Sequence, residues 1–286
     1  MADRGGRGRA GAGPGAAPVV RRGSTARPPS SLRPPAAALT YAARSKRPLV
    51  ILIFLLPMLI LYEVGSWLYL RGESGVFDTI GAHNLLARFF ELFGAVSFHL
   101  PGITLVVVLL TWHVLRRDPW RLEPKTLGGM AMESVAWTLP LVVLGVLLSP
   151  AGVLAGGAEA LAQTGSSGVA ATLSELPWQA RLTLSVGAGL YEELLFRMVG
   201  IAAAHVILAD LLRVPERWAG PGAVLISAIA FAWYHDAAGS AGEVRLLLTF
   251  YILSGVYFGI IYLARGFGIV VAVHALYDVF ALIVVG

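Results

Sequence analysis

Charged residues vanish from this chain over long stretches, and this limits its fold more than any other feature. No Asp, Glu, Lys or Arg occurs between Glu91 and Arg116, between Glu133 and Glu159, between Arg217 and Asp236, or between Arg245 and Arg265. A helix that crosses a bilayer needs about 20 mostly apolar residues, because lipid offers the backbone no hydrogen-bond partner. Composition agrees: 57% of the 286 residues are hydrophobic and 14% charged, where soluble domains carry about 25% charged residues. The runs predict an all-α polytopic membrane protein with about seven to eight transmembrane helices. Cysteine is absent, which excludes disulfides and thiolate-bound metal.

The remaining charge is unevenly placed. Residues 1–47 hold ten Lys/Arg against one acid, Asp3, while the rest of the chain holds 12 basic and 16 acidic residues. This segment is rich in Gly, Pro, Ala and Arg and too poor in large apolar residues to build a core. It is expected to be a disordered basic tail that helps set topology from the cytoplasmic side of the cell membrane, with no nucleic-acid role.

A first span is expected at 48–70, with Glu63, Trp67 and Tyr69 near its far interface. An amphipathic segment follows, with Arg88 and Glu91 among aromatics, and reads as a surface helix or a half-embedded eighth element. Further spans are expected at about 100–115, 129–150, 180–208, 221–236, 245–263 and 267–286, with a loop of small residues running to about 176. Residues 48–178 thus form N-terminal helices and loops, and 179–286 a separate core. The basic tail, the Arg116–Lys125 loop, the Asp210–Arg217 loop and Arg265 alternate with less basic connections, so all four are expected on one side. No internal repeat of the transporter kind is visible.

Ionisable groups inside apolar helices are expensive, and they tend to be paired, cavity-facing and functional. Three such groups occur in the last hundred residues. In "GLYEELLFRMVG" Glu193 and Arg197 are four apart and share a helix face, so they can pair. Glu192 is turned about 100° from Glu193 and is left without that arginine. Ser185 and Gly189 lie on the same side, small enough to let another helix or a substrate backbone come close. In "FAWYHD" His235 stands four residues after Phe231, with Asp236 beside it. In "VAVHALYD" His274 and Asp278 are four apart on one face, a pair that can orient the histidine, fix its tautomer or ligate a metal. The span limits put His235 near the end of its helix and Glu192 midway along its own, so their meeting requires a tilt or a shift of limits by about a turn. His83, His99, His113 and His205 read as interfacial, and Glu133 as a polar contact near the start of its span. Gly255 and Gly259 read as a close helix contact inside the monomer.

Together these groups describe a polar pocket sunk in the membrane. A carboxylate beside histidine can act as general base toward water, and the other groups can hold a carbonyl or take up its developing charge. That is equipment for hydrolysis.

The order "EELLFR", "FAWYH", "HALYD" over about 180–286 resembles the EExxxR, FxxxH and HxxxN/D motifs of the intramembrane CAAX-prenyl-endopeptidase and bacteriocin-processing proteases, the CPBP or Abi family. The resemblance implies that Glu192 activates water together with His235, that His274 and Asp278 support the oxyanion, and that Glu193 and Arg197 brace the site. It implies a membrane-associated protein or peptide as substrate, of CAAX type or with another C-terminal signal. Some members carry Asn at the position of Asp278; an ionised Asp cannot donate to an oxyanion, whereas Asn can. Asp278 would then be protonated, orient His274 or bind a metal. Zinc on Glu192, His235 and His274 is an acceptable donor set, although glutamate–histidine activation of water accounts for the same residues with no cofactor. A non-proteolytic scaffold or immunity protein and a proton-coupled transporter are the competing readings.

Overall fold

The computed structural model describes residues 40–72, 77–148, 176–235 and 241–285, and every regular element among them is helical apart from an isolated bridge between Arg71 and Phe77. Most of the basic tail, the loop of small residues and Asp236 lie outside the described residues. The helices are α1 (Tyr41–Ser45), α2 (Pro48–Tyr69), α3 (Gly81–Glu91), α4 (Leu100–Arg116), α5 (Pro124–Leu148), α6 (Trp178–Leu211), α7 (Glu216–Tyr234), α8 (Ala241–Arg265) and α9 (Phe267–Val279, continued as a π-helix over Phe280–Val285). The described chain is thus already helical at Tyr41, within the segment assigned to the tail.

Five of these, α2, α5, α6, α8 and α9, are long and apolar enough to cross a membrane. About seven to eight spans were expected. The difference lies in α4, an apolar helix of 17 residues, and in α7, whose 19 residues begin with Glu216 and Arg217 and include Gly220, Pro221 and Gly222. The fold is all-α and polytopic, as the uncharged runs require.

Pro48 starts α2 at a position where its missing N–H costs nothing. The helix presents Ile60, Val64, Trp67 and Leu68 outward and buries Leu52, Leu55, Leu59 and Tyr62, as a bundle wall facing lipid should. α9 has no polar face until its second half: Phe267 to Ala275 is buried without a break. A helix apolar all round belongs at the centre, and α9 packs there against α5, α6 and α8. α6 lies beside it, covered on its other sides by α2 and α7.

Polar contacts tie one end of the bundle. Glu133 of α5 accepts from the Tyr41 hydroxyl at 2.7 Å, from Trp137 Nε1 at 3.1 Å and from Arg265 Nη2 at 2.7 Å, with Arg265 Nε as a second donor. Arg44 reaches Glu123 at 3.0 Å, and Lys46 donates to the Leu263 carbonyl at 3.1 Å. Residues 41–46, the loop before α5 and the α8–α9 turn therefore share one end, which matches the alternation of basic connections. Gly266 makes that turn at φ +92°, where a side chain would be strained.

At the far end of α2, Glu63 meets His99 at 2.5 Å, and Tyr62 and Thr79 share a hydrogen bond. Two histidines read as interfacial are in fact buried. His83 lies against the rings of Tyr62, Phe98 and Tyr191 and contacts the Phe98 carbonyl at 2.9 Å. His113 lies under Trp120. The amphipathic pattern placed α3 on the surface, but it could not show that this helix turns its first residues inward.

Candidate active site

Glu192 and Glu193 close the regular α-helical part of α6, and the next eight residues, Leu194–Ile201, are wound as a π-helix. π-segments break the regular ladder and are frequent at functional sites. Here a side chain from another helix helps to satisfy the altered backbone: Ser227 of α7 donates to the Phe196 carbonyl at 2.7 Å.

Two arms of equal residue count bring the motifs of α6 and α7 together. Glu192 lies 19 residues before Leu211, the last residue of α6, and His235 lies 19 residues after Glu216, the first residue of α7. With a rise of about 1.5 Å per residue, His235 stands about 28 Å from the start of α7, while the arm of α6 has the same residue count and is largely π-wound. The difficulty raised by the span limits is thereby resolved: α6 is 34 residues long, and α7 starts earlier than expected. His235 is the residue that caps α7, in extended backbone conformation.

Glu192 and both histidines are buried, and the Oε2 atom of Glu192 stands 3.7 Å from His235 Nε2 and 3.8 Å from His274 Nε2. The other ring nitrogens are engaged. His235 Nδ1 lies 2.8 Å from the Phe231 carbonyl, which only accepts, so Nδ1 carries the hydrogen and Nε2, a lone pair in the neutral ring, is turned toward Glu192. His274 Nδ1 donates to Glu193 Oε1 at 2.7 Å. The same oxygen takes Arg197 Nη1 at 3.1 Å, which makes a chain from Arg197 through Glu193 to His274. Asp278 is a more distant neighbour, with Oδ2 at 3.5 Å from His274 Nε2.

Aromatic rings wall this cluster. The Arg197 guanidinium lies 4.3 Å from the Phe231 ring centre and 5.0 Å from that of Phe258. Phe258 stacks on His274 at 4.7 Å, and Tyr251 stacks on His235 at 4.3 Å. Water is thus kept from the arginine, whose charge is matched by Glu193, by the two ring faces and by the Gly255 carbonyl at 3.4 Å. Gly189, one turn before Glu193, fixes the approach of α6 to α9: a Cβ there would stand 2.7 Å from the Val271 carbonyl and 2.8 Å from Ala275. Its small size therefore serves another helix. Gly255 and Gly259 do the same between α8 and α7, against Ala228 and Val224.

Residues 174–280 match the family described as type II CAAX prenyl endopeptidase Rce1-like. The chain carries an Rce1-like region. It takes in α6, α7, α8 and most of α9, and with them every residue of the buried cluster. No curated protein and no solved structure matches the chain.

The Rce1-like region brings together Glu192, Glu193, Arg197, His235, His274 and Asp278. Asp236 lies outside the described residues. His205 stands apart, paired with Glu216 at 2.9 Å, and Glu133 belongs to the end contact already described. Chemically, two Nε2 atoms and a carboxylate suit zinc. Among the described residues no three His, Asp or Glu side chains are grouped as metal ligands. Sequence reasoning missed Tyr251 and Phe258. Both sit in the uncharged run of α8, where nothing but a helix-spaced aromatic pattern distinguishes them from lipid-facing residues.

Proposed function

We propose that this protein is an intramembrane endopeptidase that cuts a peptide bond in a membrane-associated protein or peptide, near a C-terminal signal of CAAX or related type. The family match supports a peptidase of this general kind. The observation that carries the mechanism is the position of Glu192 Oε2 between two histidine Nε2 atoms at 3.7 and 3.8 Å. Both separations exceed a direct hydrogen bond and suit one bridging water.

In this reading Glu192 takes a proton from the water, and His235, held in one tautomer by the Phe231 carbonyl, orients it. The water oxygen bonds to the carbonyl carbon, whose oxygen takes the electron pair. His274 stabilises that oxygen when its Nε2 carries a hydrogen, and Glu193, itself neutralised by Arg197, holds the ring in place. Collapse breaks the C–N bond, and Glu192 returns its proton to the leaving amine, so that OH of the water ends on the acyl fragment and H on the amine. General acid–base groups of this kind contribute about 10²–10⁴-fold each. Asp278, 3.5 Å from His274 Nε2, acts on that ring by its charge. The basic end of the bundle, with Arg44, Lys46 and Arg265, is placed on the cytoplasmic side of the cell membrane.

The test is mass spectrometry of native protein termini in host cells that carry the wild-type chain or Glu192→Gln. A set of termini that shifts in the variant supports the peptidase and names its substrates. Identical termini, with the variant inserted and abundant, overturn the reading in favour of a scaffold.

A further inference from the structure

Tyr251 belongs to α8, the one helix of the Rce1-like region that carries none of the three motifs. Its residue is 4% exposed. Its ring lies on His235 with 23° between the planes and meets Phe231 and Phe250 edge-on. Four buried oxygens of this group, Glu192 Oε2, Glu193 Oε2, Asp278 Oδ2 and the Tyr251 hydroxyl, have no hydrogen-bond partner among the described residues. Leaving a buried polar group unsatisfied costs about 1–3 kcal/mol, so such a set is expected where a ligand completes it.

The donor inventory then singles out the tyrosine. A substrate carbonyl whose oxygen gains charge needs hydrogen-bond donors. In the neutral ring His235 Nε2 offers a lone pair, ionised Glu193 and Asp278 only accept, and His274, whose Nδ1 serves Glu193, donates from Nε2 only when its ring is protonated. The Tyr251 O–H is a donor at any pH below that of phenol ionisation. Its ring is held by neighbours on several sides, so little reorganisation is needed when charge appears.

We propose that Tyr251 is a further catalytic residue, whose phenolic O–H donates to the carbonyl oxygen of the bond being cut. This rests on the peptidase reading above. It also accounts for an Asp at 278, because the donor that Asn would supply is supplied from α8.

The test compares wild-type chain, Glu192→Gln, Tyr251→Phe and Tyr251→Leu by the terminus-mapping experiment, followed by kinetics in nanodiscs on a protein whose terminus shifts. Tyr251→Phe keeps the ring on His235 and removes only the hydroxyl. The expected result is a fall in kcat of about 10²–10³-fold, as for other single oxyanion donors, with KM within about twofold and an unchanged unfolding midpoint. Wild-type turnover by Tyr251→Phe, with Tyr251→Leu inactive, would reduce Tyr251 to a stacking partner of His235 and overturn the proposal while leaving the peptidase intact. If Glu192→Gln shifts no termini, the peptidase reading falls, and this proposal with it. Should Tyr251→Phe fold poorly, 3,5-difluorotyrosine at position 251 serves instead. Fluorination makes the phenol a stronger acid at nearly constant shape, so the alkaline limb of the kcat profile should move to lower pH. An unmoved limb overturns the proposal.

Discussion

His274 donates to Glu193 at 2.7 Å, closer than its 3.5 Å approach to Asp278 four residues along its own helix. The carboxylate that fixes its tautomer comes from α6, which makes Glu193 the joint between the arginine and the histidine.

Removing either side of that joint leaves a buried ion unmatched. Arg197→Ala and Glu193→Ala should each destabilise the folded protein by about 3–5 kcal/mol, read as a fall in unfolding midpoint in detergent and in yield from membranes. Asp278→Asn should leave the midpoint near that of wild type, since Asp278 is not part of the joint. A midpoint for Arg197→Ala equal to wild type would show that Glu193 is not carrying a charge.

Glu192 differs from its neighbour in having no arginine. Glu192→Gln and His235→Ala should each lower cleavage by at least about 10²-fold, with insertion and unfolding midpoint preserved. The double variant should be little worse than either single one, because groups that act as a unit are not additive. Additive losses would separate the two residues mechanistically.

Gly189 offers a test of the scaffold that is independent of charge. Gly189→Val places carbon against the Val271 carbonyl and Ala275 and must push α6 away from α9. Both stability and cleavage should fall together, the latter because Glu192 and Glu193 move relative to His274. Retention of full activity would mean that the helices meet elsewhere.

His83 gives a dependence on pH outside the membrane-spanning helices. Burial against aromatic rings lowers its pKa from 6.5 to about 4. The unfolded chain therefore binds the proton first as pH falls. The contribution is complete above about pH 6.5 and is lost progressively toward pH 4, up to about 3 kcal/mol. The unfolding midpoint of wild-type chain should drop over that interval, and His83→Gln should flatten this part of the curve. Equal slopes for the two would place the titrating group elsewhere.

Spacing within one helix was readable in advance; partnership between helices was not. The four-residue interval of Glu193 and Arg197 already implied their contact, and the 100° turn between Glu192 and Glu193 implied two separate roles. The same rule suggested Asp278 as the partner of His274, because an i,i+4 neighbour is visible in a sequence and a carboxylate on another helix is not. The π-wound stretch after Glu193 has no compositional mark, since its residues suit an ordinary helix equally well. Tyr251 was hidden for a related reason. In a chain where lipid and core are both apolar, an aromatic residue does not announce which of the two it faces. Two of the expected spans, α4 and α7, are helices that are short or diluted by Gly, Pro and charge.

The matched arms of α6 and α7 have a consequence for how such a chain can tolerate change in length. One residue inserted between Glu216 and His235 would carry the His235 side chain about 100° around α7 and about 1.5 Å along it, out of reach of its counterpart. Residues added between Leu212 and Pro215 would leave both arms as they are. The meeting of glutamate and histidine is therefore kept by a count of residues taken from the hairpin bend, so insertions there should be silent while single deletions in the arms should not.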